Sequence, residues 1–229
     1  MADLKTSRSV VVAVDGTAAS GKGTLAKLLA RKFGFAHLDS GSLYRLVALA
    51  VEEAGGDPEN AEHAVQAAHA IDLTRAGEPA IRSDRIGRLA SVVSAHPPVR
   101  AALLKFQRDF AAHPVGESRG AVIDGRDIGT VICPDAAAKL FVDARPEVRA
   151  HRRWLELGDL GIRRDEARLL AELVDRDRAD RDRPISPMRP APDAALLDTS
   201  DLSIDAAFAA ALALVEPKVE AALKAQPRG

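Results

Sequence analysis

The sequence predicts an α/β protein built on a five-stranded parallel sheet with helices on both faces. Short apolar runs alternate with longer segments in which apolar residues recur at helical spacing. Parallel strands need such helical crossovers, because the chain must return to the same edge of the sheet before each new strand. The predicted strands cover residues 10–14, 35–38, 121–123, 139–142 and 195–197.

The composition favours one substantial core. With 229 residues, of which 47% are hydrophobic, we expect a single domain covering 1–229. The formal net charge of -1 offers no overall field that would attract a nucleic acid or an acidic membrane. The first apolar run is too short for a signal peptide, and no later run is long enough to cross a bilayer. We expect a cytoplasmic monomer with no nucleic-acid or membrane partner.

The only cysteine, Cys133, excludes an internal disulfide and any metal site built from several cysteines. Its position beside Pro134 is most simply that of a small buried apolar residue.

The first predicted strand leads into a glycine-rich segment that is typical of a phosphate-binding loop. Its amide N–H groups can surround an anion while Lys22 reaches the outer phosphates. Leu25, Leu29 and Phe33 then follow at helical spacing with Gly34 as a suitable C-cap, so a helix N-terminus faces the same phosphates. A turn that binds nothing is the alternative. The predicted phosphate-binding residues are Gly16, Thr17, Ala18, Ala19, Ser20, Gly21, Lys22, Gly23 and Thr24.

Polar residues also follow the second and third predicted strands, where ligands gather in open parallel sheets. Ser40 and Tyr44 share one helical face with Arg45 beside them, although helix capping and a half-buried tyrosine would explain this pattern as well. In the segment 124–127, a glycine permits a sharp turn and Arg126 can bind a phosphate or a base edge. A surface turn with a salt bridge is the alternative there.

A run of alternating charges covers residues 176–183. Arg176, Asp180 and Arg183 fall on one narrow helical stripe, while the other charges point elsewhere. Such a stripe can hold phosphoryl groups, with the carboxylate orienting the guanidinium groups. Taken alone, the run favours a solvated helix with surface ion pairs.

Together these motifs resemble the bacterial cytidylate kinases, a family of nucleoside monophosphate kinases, from Val11 to the C-terminal helix. The resemblance depends on 15–24, on Asp39-Ser40-Gly41 with Tyr44-Arg45, on Ser91 with Arg100, on 124–131, and on Arg176-Asp177 with Asp180 and Arg183. It implies a P-loop kinase fold that transfers the γ-phosphoryl group of ATP to CMP or dCMP with Mg²⁺. It also implies a monophosphate-binding insertion at about 55–90 and a lid at about 149–168.

The resemblance further implies individual roles. The phosphate loop would bind ATP, Thr24 would contact Mg²⁺, and Arg152 and Arg153 would be lid residues, although a solvated helix face explains this pair nearly as well. The implied catalytic residues are Lys22, Arg126, Arg176, Asp180 and Arg183. The implied CMP-binding residues are Ser40, Tyr44, Arg45, Ser91, Arg100, Asp124, Arg126, Asp127, Arg176, Asp180 and Arg183.

Two departures from the family pattern affect these expectations. Ala19 stands where relatives often carry glycine, so a residue with a side chain must adopt that backbone conformation. The segment between Ile71 and Ile81 is short where many relatives have a small antiparallel sheet, which leaves the choice among CMP, dCMP and UMP open. By composition, residues 55–88 are expected to lie outside the core and 149–168 at the periphery.

Three other functions compete with this one. A GTPase switch would need an Asn-Lys-x-Asp guanine-binding motif, but the only asparagine, Asn60, is followed by Ala61. A kinase for a non-nucleotide metabolite and a non-enzymatic nucleotide-dependent module stay as alternatives, distinguished by the acceptor each would use.

Overall fold

The computed structural model describes residues 9–116 and 118–226, and its centre is a five-stranded parallel sheet. The strands lie in the order β2-β3-β1-β4-β5, and every neighbouring pair is parallel. The predicted sheet is therefore confirmed, and each predicted run matches one strand to within a few residues. The strands are β1 (Val10–Gly16), β2 (Ala36–Asp39), β3 (Gly120–Gly125), β4 (Ala138–Asp143) and β5 (Ala195–Asp198).

Helices connect these strands. The first begins directly after the phosphate loop and ends at Gly34, whose φ of 65° is the left-handed conformation expected of a glycine C-cap. Ser203 caps the last helix by accepting a hydrogen bond from the N–H of Ala206, as its position predicts. The helices are α1 (Lys22–Phe33), α2 (Ser40–Glu53), α3 (Ala61–His69), α4 (Asp84–Ala95), α5 (Pro97–Ala112), α6 (Pro146–Asp159), α7 (Glu166–Asp182) and α8 (Ile204–Ala225).

The strand alternation divides the core between the two faces of the sheet. Val10, Val12 and Val14 point to one face and pack with residues of α1 and α8. Val11 and Ala13 point to the other face and pack with residues of α5 and a π-helical turn after β3. Both faces are thus covered, which explains why the strands are almost continuously hydrophobic.

The region predicted as an insertion builds a second hydrophobic cluster against α2 rather than extending the sheet. It contains α3, two short 3₁₀ helices over Leu73–Gly77 and Pro79–Arg82, and the start of α4. The two 3₁₀ helices occupy the segment that the sequence identified as short. Helix α4 continues past residue 90 to Ala95, so the helical unit extends beyond the predicted boundary.

The region predicted as a lid contains most of α6, the connection after it and the first turn of α7. The expectation that this stretch is peripheral is wrong for Arg149, whose side chain is only 2% exposed. A buried partner on α7, Asp177, neutralises its charge, and pairing of this kind is the condition under which an arginine can be buried. Within the described residues, no helix is long and apolar enough to span a membrane.

Candidate functional site

The last or penultimate residue of every strand in the sheet is an aspartate. These residues are Asp15, Asp39, Asp124, Asp143 and Asp198. Parallel strands bring their carboxyl ends to one edge, so the five carboxylates belong to the same side of the molecule. Each aspartate holds a neighbouring loop or side chain in place, as Asp39 does by capping α2.

The phosphate loop has a backbone that its sequence makes possible. Gly16 has a φ of 150°, and an added Cβ would lie 1.9 Å from the carbonyl oxygen of Val142, so only glycine fits. Ala19 has a φ of 58°, which confirms that this alanine adopts the left-handed conformation usually left to glycine. The loop therefore carries local strain at Ala19 that the surrounding contacts hold in place.

Side chains fix three carbonyl groups of this loop. Ser20 Oγ donates to the carbonyl oxygen of Thr17 at 3.0 Å, and Thr199 Oγ1 donates to that of Ser20 at 2.9 Å. The guanidinium of Arg149 donates to the carbonyl oxygen of Ala18 at 3.0 Å. Carbonyl groups held in this way cannot turn toward a bound phosphate, so they do not compete with the N–H groups that bind anions.

Lys22 lies at the N-terminus of α1 and donates to the carbonyl oxygen of Thr17 at 3.4 Å. Burial lowers the pKa of Lys22 to about 7, and the positive charge of Arg126 adds to this effect. An anion bound here would restore the full charge of the lysine. The electrostatics of the loop therefore favour a polyanionic ligand.

A cleft of about 670 Å³ lies over this loop. The loop residues 19–24 form one wall, and Arg152, Arg153, Thr199 and Ile204 lie opposite. Arg152 donates to the carbonyl oxygen of Thr199 at 2.6 Å and to its Oγ1 at 3.0 Å, so both the arginine and the threonine hold fixed positions. Thr24 is exposed on the first turn of α1 and lines the same cleft.

A second site lies on the other side of Ala19. A small recess of about 60 Å³ collects most of the predicted CMP-binding residues, and a larger cleft of about 450 Å³ adjoins it through Ser91 and Arg176. Arg45 lines the larger cleft. The predicted residues lining the recess are Ser40, Tyr44, Ser91, Arg100, Arg126, Asp127, Arg176, Asp180 and Arg183.

Two ion pairs organise the recess. Arg100 pairs closely with Asp127 and also lies over the ring of Tyr44, with its guanidinium carbon 5.5 Å from the ring centroid. Arg126 Nε donates to Asp180 Oδ2 at 2.9 Å. Burial by itself would raise the pKa of Asp180, but the surrounding arginines outweigh burial and lower it, so this carboxylate stays ionised.

Two arginines near the recess have no carboxylate bound to them among the described residues. Arg45 donates only to the carbonyl oxygens of Ile81 and Ser83. Arg176 has a buried Nε without a hydrogen-bond partner, and burial together with Arg126 lowers the pKa of its guanidinium to about 10. Both side chains are half-buried, and a buried guanidinium N–H without an acceptor, as at Arg176 Nε, costs free energy. They are therefore well suited to an anionic ligand.

The structure places two predicted residues differently from the rest. Asp124 does not line the recess; its Oδ1 lies 2.8 Å from His37 Nε2, and its other oxygen faces Gly23 at the start of α1. Arg183 follows the last residue of α7, yet its guanidinium still lies 3.8 Å from Asp180 and donates to the carbonyl oxygen of Ser186.

The two clefts meet at Ala19, Arg153 and Glu156, which line both of them. Arg153 also contacts the predicted insertion, because it donates to Asp84 Oδ1 at 2.6 Å. A ligand on the phosphate loop and a ligand among the arginines of the recess and its adjoining cleft would consequently bind side by side. This arrangement suits direct transfer of a group between them.

Comparison with known proteins agrees with this geometry. The family model described as "Cytidylate kinase" matches residues 12–217. The chain belongs to the cytidylate kinase family. A protein named "Cytidylate kinase" from Rhodopseudomonas palustris (strain TIE-1) is 54% identical over 207 residues, which are 90% of this chain and 96% of that protein. One with the same name from Nitrobacter winogradskyi is 53% identical over the same shares.

The fold agrees with this membership in the cytidylate kinase family. The five-stranded parallel sheet with its phosphate loop is a P-loop kinase fold. A solved structure described as an uncharacterized protein from Eubacterium ventriosum superposes with a TM-score of 0.53 at 13% identity, covering 90% of this chain and 98% of that one. This likeness concerns the fold alone.

For this member of the cytidylate kinase family, sequence reasoning missed several residues that shape the site. Thr17 Oγ1 donates to Asp143 Oδ1 at 2.6 Å, which ties the phosphate loop to the end of β4. Thr199 holds the loop from the end of β5. The rule that ligands gather beyond strand ends could have identified both Asp143 and Thr199, since each lies at such an end.

Proposed function

We propose that this protein is a cytidylate kinase that transfers the γ-phosphoryl group of ATP to CMP or dCMP, giving ADP with CDP or dCDP. The observation that carries this proposal is the meeting of the two clefts at Ala19, Arg153 and Glu156. A phosphate loop with a lysine lies on one side, and Arg176 with an unpartnered Nε lies on the other. Two polyanions can thus be brought together, and membership of the family supplies their identity.

Phosphoryl transfer asks the protein for positioning and charge neutralisation rather than for a nucleophile. Lys22 and the loop N–H groups would hold the donor phosphates. Arg45, Arg126, Arg176 and Arg183 would hold the acceptor phosphate, whose oxygen attacks the γ-phosphorus while ADP leaves. Asp180 orients Arg126 for this task through the hydrogen bond between their side chains.

Sugar and base recognition would fall to the remaining residues of the recess. Arg100 and Asp127 form a fixed donor and acceptor pair beside Tyr44, with Ser40 and Ser91 on the same wall. Asp124 would contribute to CMP binding indirectly. Its carbonyl oxygen accepts a hydrogen bond from Ser40 Oγ at 2.7 Å and so helps to hold Ser40 in the recess. Its carboxylate is oriented toward α1 instead.

Mg²⁺ would enter with ATP rather than occupy a protein cage. Among the residues that the structure describes, no group of three His, Cys, Asp or Glu side chains could hold a metal ion. A magnesium ion bound to a nucleotide keeps most of its ligands as phosphate oxygens and water. The exposed hydroxyl of Thr24 fits that role, and the metal would neutralise charge that develops on the donor phosphates.

We expect the insertion and the lid to close around the paired substrates before transfer. Arg152 and Arg153 would contact the phosphates in that state. Closure would also exclude water, which would otherwise accept the phosphoryl group. We retain a cytoplasmic location, a monomeric state and a single domain as predictions.

A coupled assay over a panel of nucleoside monophosphates tests the proposal. CMP and dCMP should be phosphorylated with the highest kcat/KM, with UMP slower and AMP and GMP not measurably phosphorylated. Absence of turnover with both CMP and dCMP in a folded, ATP-binding sample would refute it. Turnover of a non-nucleotide alcohol in place of CMP would establish the metabolite kinase alternative.

A further inference from the structure

The phosphate loop has a second support that lies outside the nucleotide clefts. Arg149 of α6 and Asp177 of α7 form an ion pair, with 2.6 Å between Arg149 Nη1 and Asp177 Oδ2, and both side chains are 2% exposed. Neither residue lines the phosphate-loop cleft, the recess or the cleft that adjoins it. Burying an ion pair costs desolvation free energy that apolar side chains would avoid. Holding two helices together therefore does not by itself explain this pair.

Both members of this pair form hydrogen bonds with the backbone of one loop residue, Ala18. Asp177 Oδ1 accepts a hydrogen bond from the N–H of Ala18 at 3.3 Å, while Arg149 Nη1 donates to the carbonyl oxygen of Ala18 at 3.0 Å. Arg149 Nε also donates to the carbonyl oxygen of Ala144, just after β4, at 2.8 Å. The loop backbone, the sheet edge and α7 are thereby joined at one point.

These hydrogen bonds to Ala18 lie next to the strained position in the loop. Ala19 follows Ala18 directly, and its left-handed φ of 58° is unfavourable for a residue with a side chain. Such a conformation persists only where the surroundings determine it. Fixing both polar groups of Ala18 sets the orientation of the peptide that leads into Ala19, and it keeps the Ala18 carbonyl away from the anion.

The same hydrogen bonds connect the phosphate loop to the site expected to bind the second substrate. Asp177 directly follows Arg176, whose guanidinium lines the acceptor recess with an unpartnered Nε. A contact that fixes Asp177 against Ala18 therefore also fixes the position of Arg176 relative to the phosphate loop. Misplacement of reacting groups by about 1 Å can cost about a hundredfold in rate.

We propose that Arg149 and Asp177 are positioning residues, which hold the phosphate loop in its ATP-binding conformation and in register with Arg176. This inference rests on the proposed function, because it takes the loop to be the ATP site. Neither side chain touches a substrate. Their effect is exerted through the Ala18 peptide and through the position of α7.

The test uses the double variant Arg149→Met/Asp177→Leu, which removes both charges and keeps similar volumes, so no buried charge is left unpaired. We expect the Kd for ATP, measured by calorimetry without CMP, to rise at least tenfold. The KM for ATP should rise in parallel and kcat should fall, while the KM for CMP changes less than threefold. The exposed pair Arg145 and Asp201 provides the control, because Asp201→Asn breaks an ion pair near the same helix start and should leave all these values unchanged.

A purely structural role gives a different result. General destabilisation lowers the active fraction and thus kcat, but it leaves both KM values and the Kd for ATP as in the wild type. That result in the folded double variant would overturn the proposal. If the double variant does not fold, Arg149→Lys is judged by the same ATP criterion, since lysine keeps the charge beside Asp177 but cannot reach both carbonyl oxygens. A wild type that binds ATP but does not phosphorylate CMP would refute the proposed function, while the ATP Kd would still decide this inference.

Discussion

Arg126 Nε donates to Asp180 Oδ2 at 2.9 Å, and this ion pair joins the loop after β3 to helix α7. The two side chains are 15% and 8% exposed, so solvent screens their interaction only weakly. In phosphoryl transfer an arginine must face the anion with its donors already oriented. The ion pair provides this orientation.

Replacing Asp180 should therefore impair acceptor use. Asp180→Asn removes the charge that orients Arg126 and Arg183, and we expect kcat/KM for CMP to fall about 10–100-fold with little change in the KM for ATP. Steady-state kinetics with each substrate varied in turn measures both effects. The control is Asp182→Asn, an exposed position at the end of the same helix. Equal effects of the two substitutions would mean that the charge of Asp180 has no special role.

The unpartnered Arg176 should matter more than its neighbour on the helix. Arg176→Ala removes a cation expected to bind the acceptor phosphate, and truncating one partner of a desolvated, hydrogen-bonded charge pair costs about 2–5 kcal/mol. We expect kcat/KM for CMP to fall by more than a hundredfold. Arg178→Ala, which removes an exposed arginine 3.9 Å from Asp175, should change kcat/KM less than twofold. A loss of less than twofold in both variants would return this helix to the alternative of a solvated, ion-paired surface.

The lowered pKa of Lys22 predicts that ATP binding takes up a proton. With a pKa of about 7, roughly nine in ten free protein molecules hold a neutral Lys22 at pH 8. Bound phosphates favour the charged form, so the pKa rises in the complex and a proton is absorbed above pH 7. Below pH 6 the lysine is already protonated, and the uptake should vanish.

Calorimetry of ATP binding in buffers of different ionisation enthalpy measures this proton uptake. The Lys22→Met variant serves as the control, because it cannot change its charge. Wild-type binding heats that do not depend on the buffer at pH 8 would show that Lys22 is already fully charged before ATP binds.

Two substitutions in the phosphate loop should have opposite outcomes. Gly16→Ala forces a Cβ to within 1.9 Å of the Val142 carbonyl oxygen and should abolish activity or prevent folding. Ala19→Gly relieves the left-handed alanine at a smaller entropic cost, so we expect unfolding free energy to rise by up to about 1 kcal/mol with kcat within twofold of wild type. Urea unfolding and initial rates provide the measurements. Loss of activity in Ala19→Gly would show that the methyl group itself contributes to the site.

The fold could be predicted from the sequence because its signals are local. Each strand of the sheet is a short apolar run, and Gly34 and Ser203 end and begin helices by backbone chemistry that depends on single residues. The phosphate loop was predictable for the same reason, since its spacing and its lysine lie within one segment.

What could not be predicted depends on pairing across the fold. Arg149 and Asp177 lie in charge-rich stretches that resemble solvated helix faces, and only the folded chain brings them together at 2.6 Å. Likewise, the partner of Asp124 is His37 on the adjacent strand, 2.8 Å away, which no spacing in the sequence reveals. Helical periodicity also placed Arg183 inside a helix that ends one residue earlier.

The balance of products in a single reaction tests the central claim most directly. Incubation of the purified protein with ATP, Mg²⁺ and CMP, followed by chromatographic separation of all nucleotides, gives the amounts of ADP and CDP formed. Two nucleotides bound side by side predict equal amounts of ADP and CDP from the first time point, and almost no ADP when CMP is omitted. Formation of ADP without matching CDP would contradict the account, because the phosphoryl group would then pass to water and not to a neighbouring nucleotide.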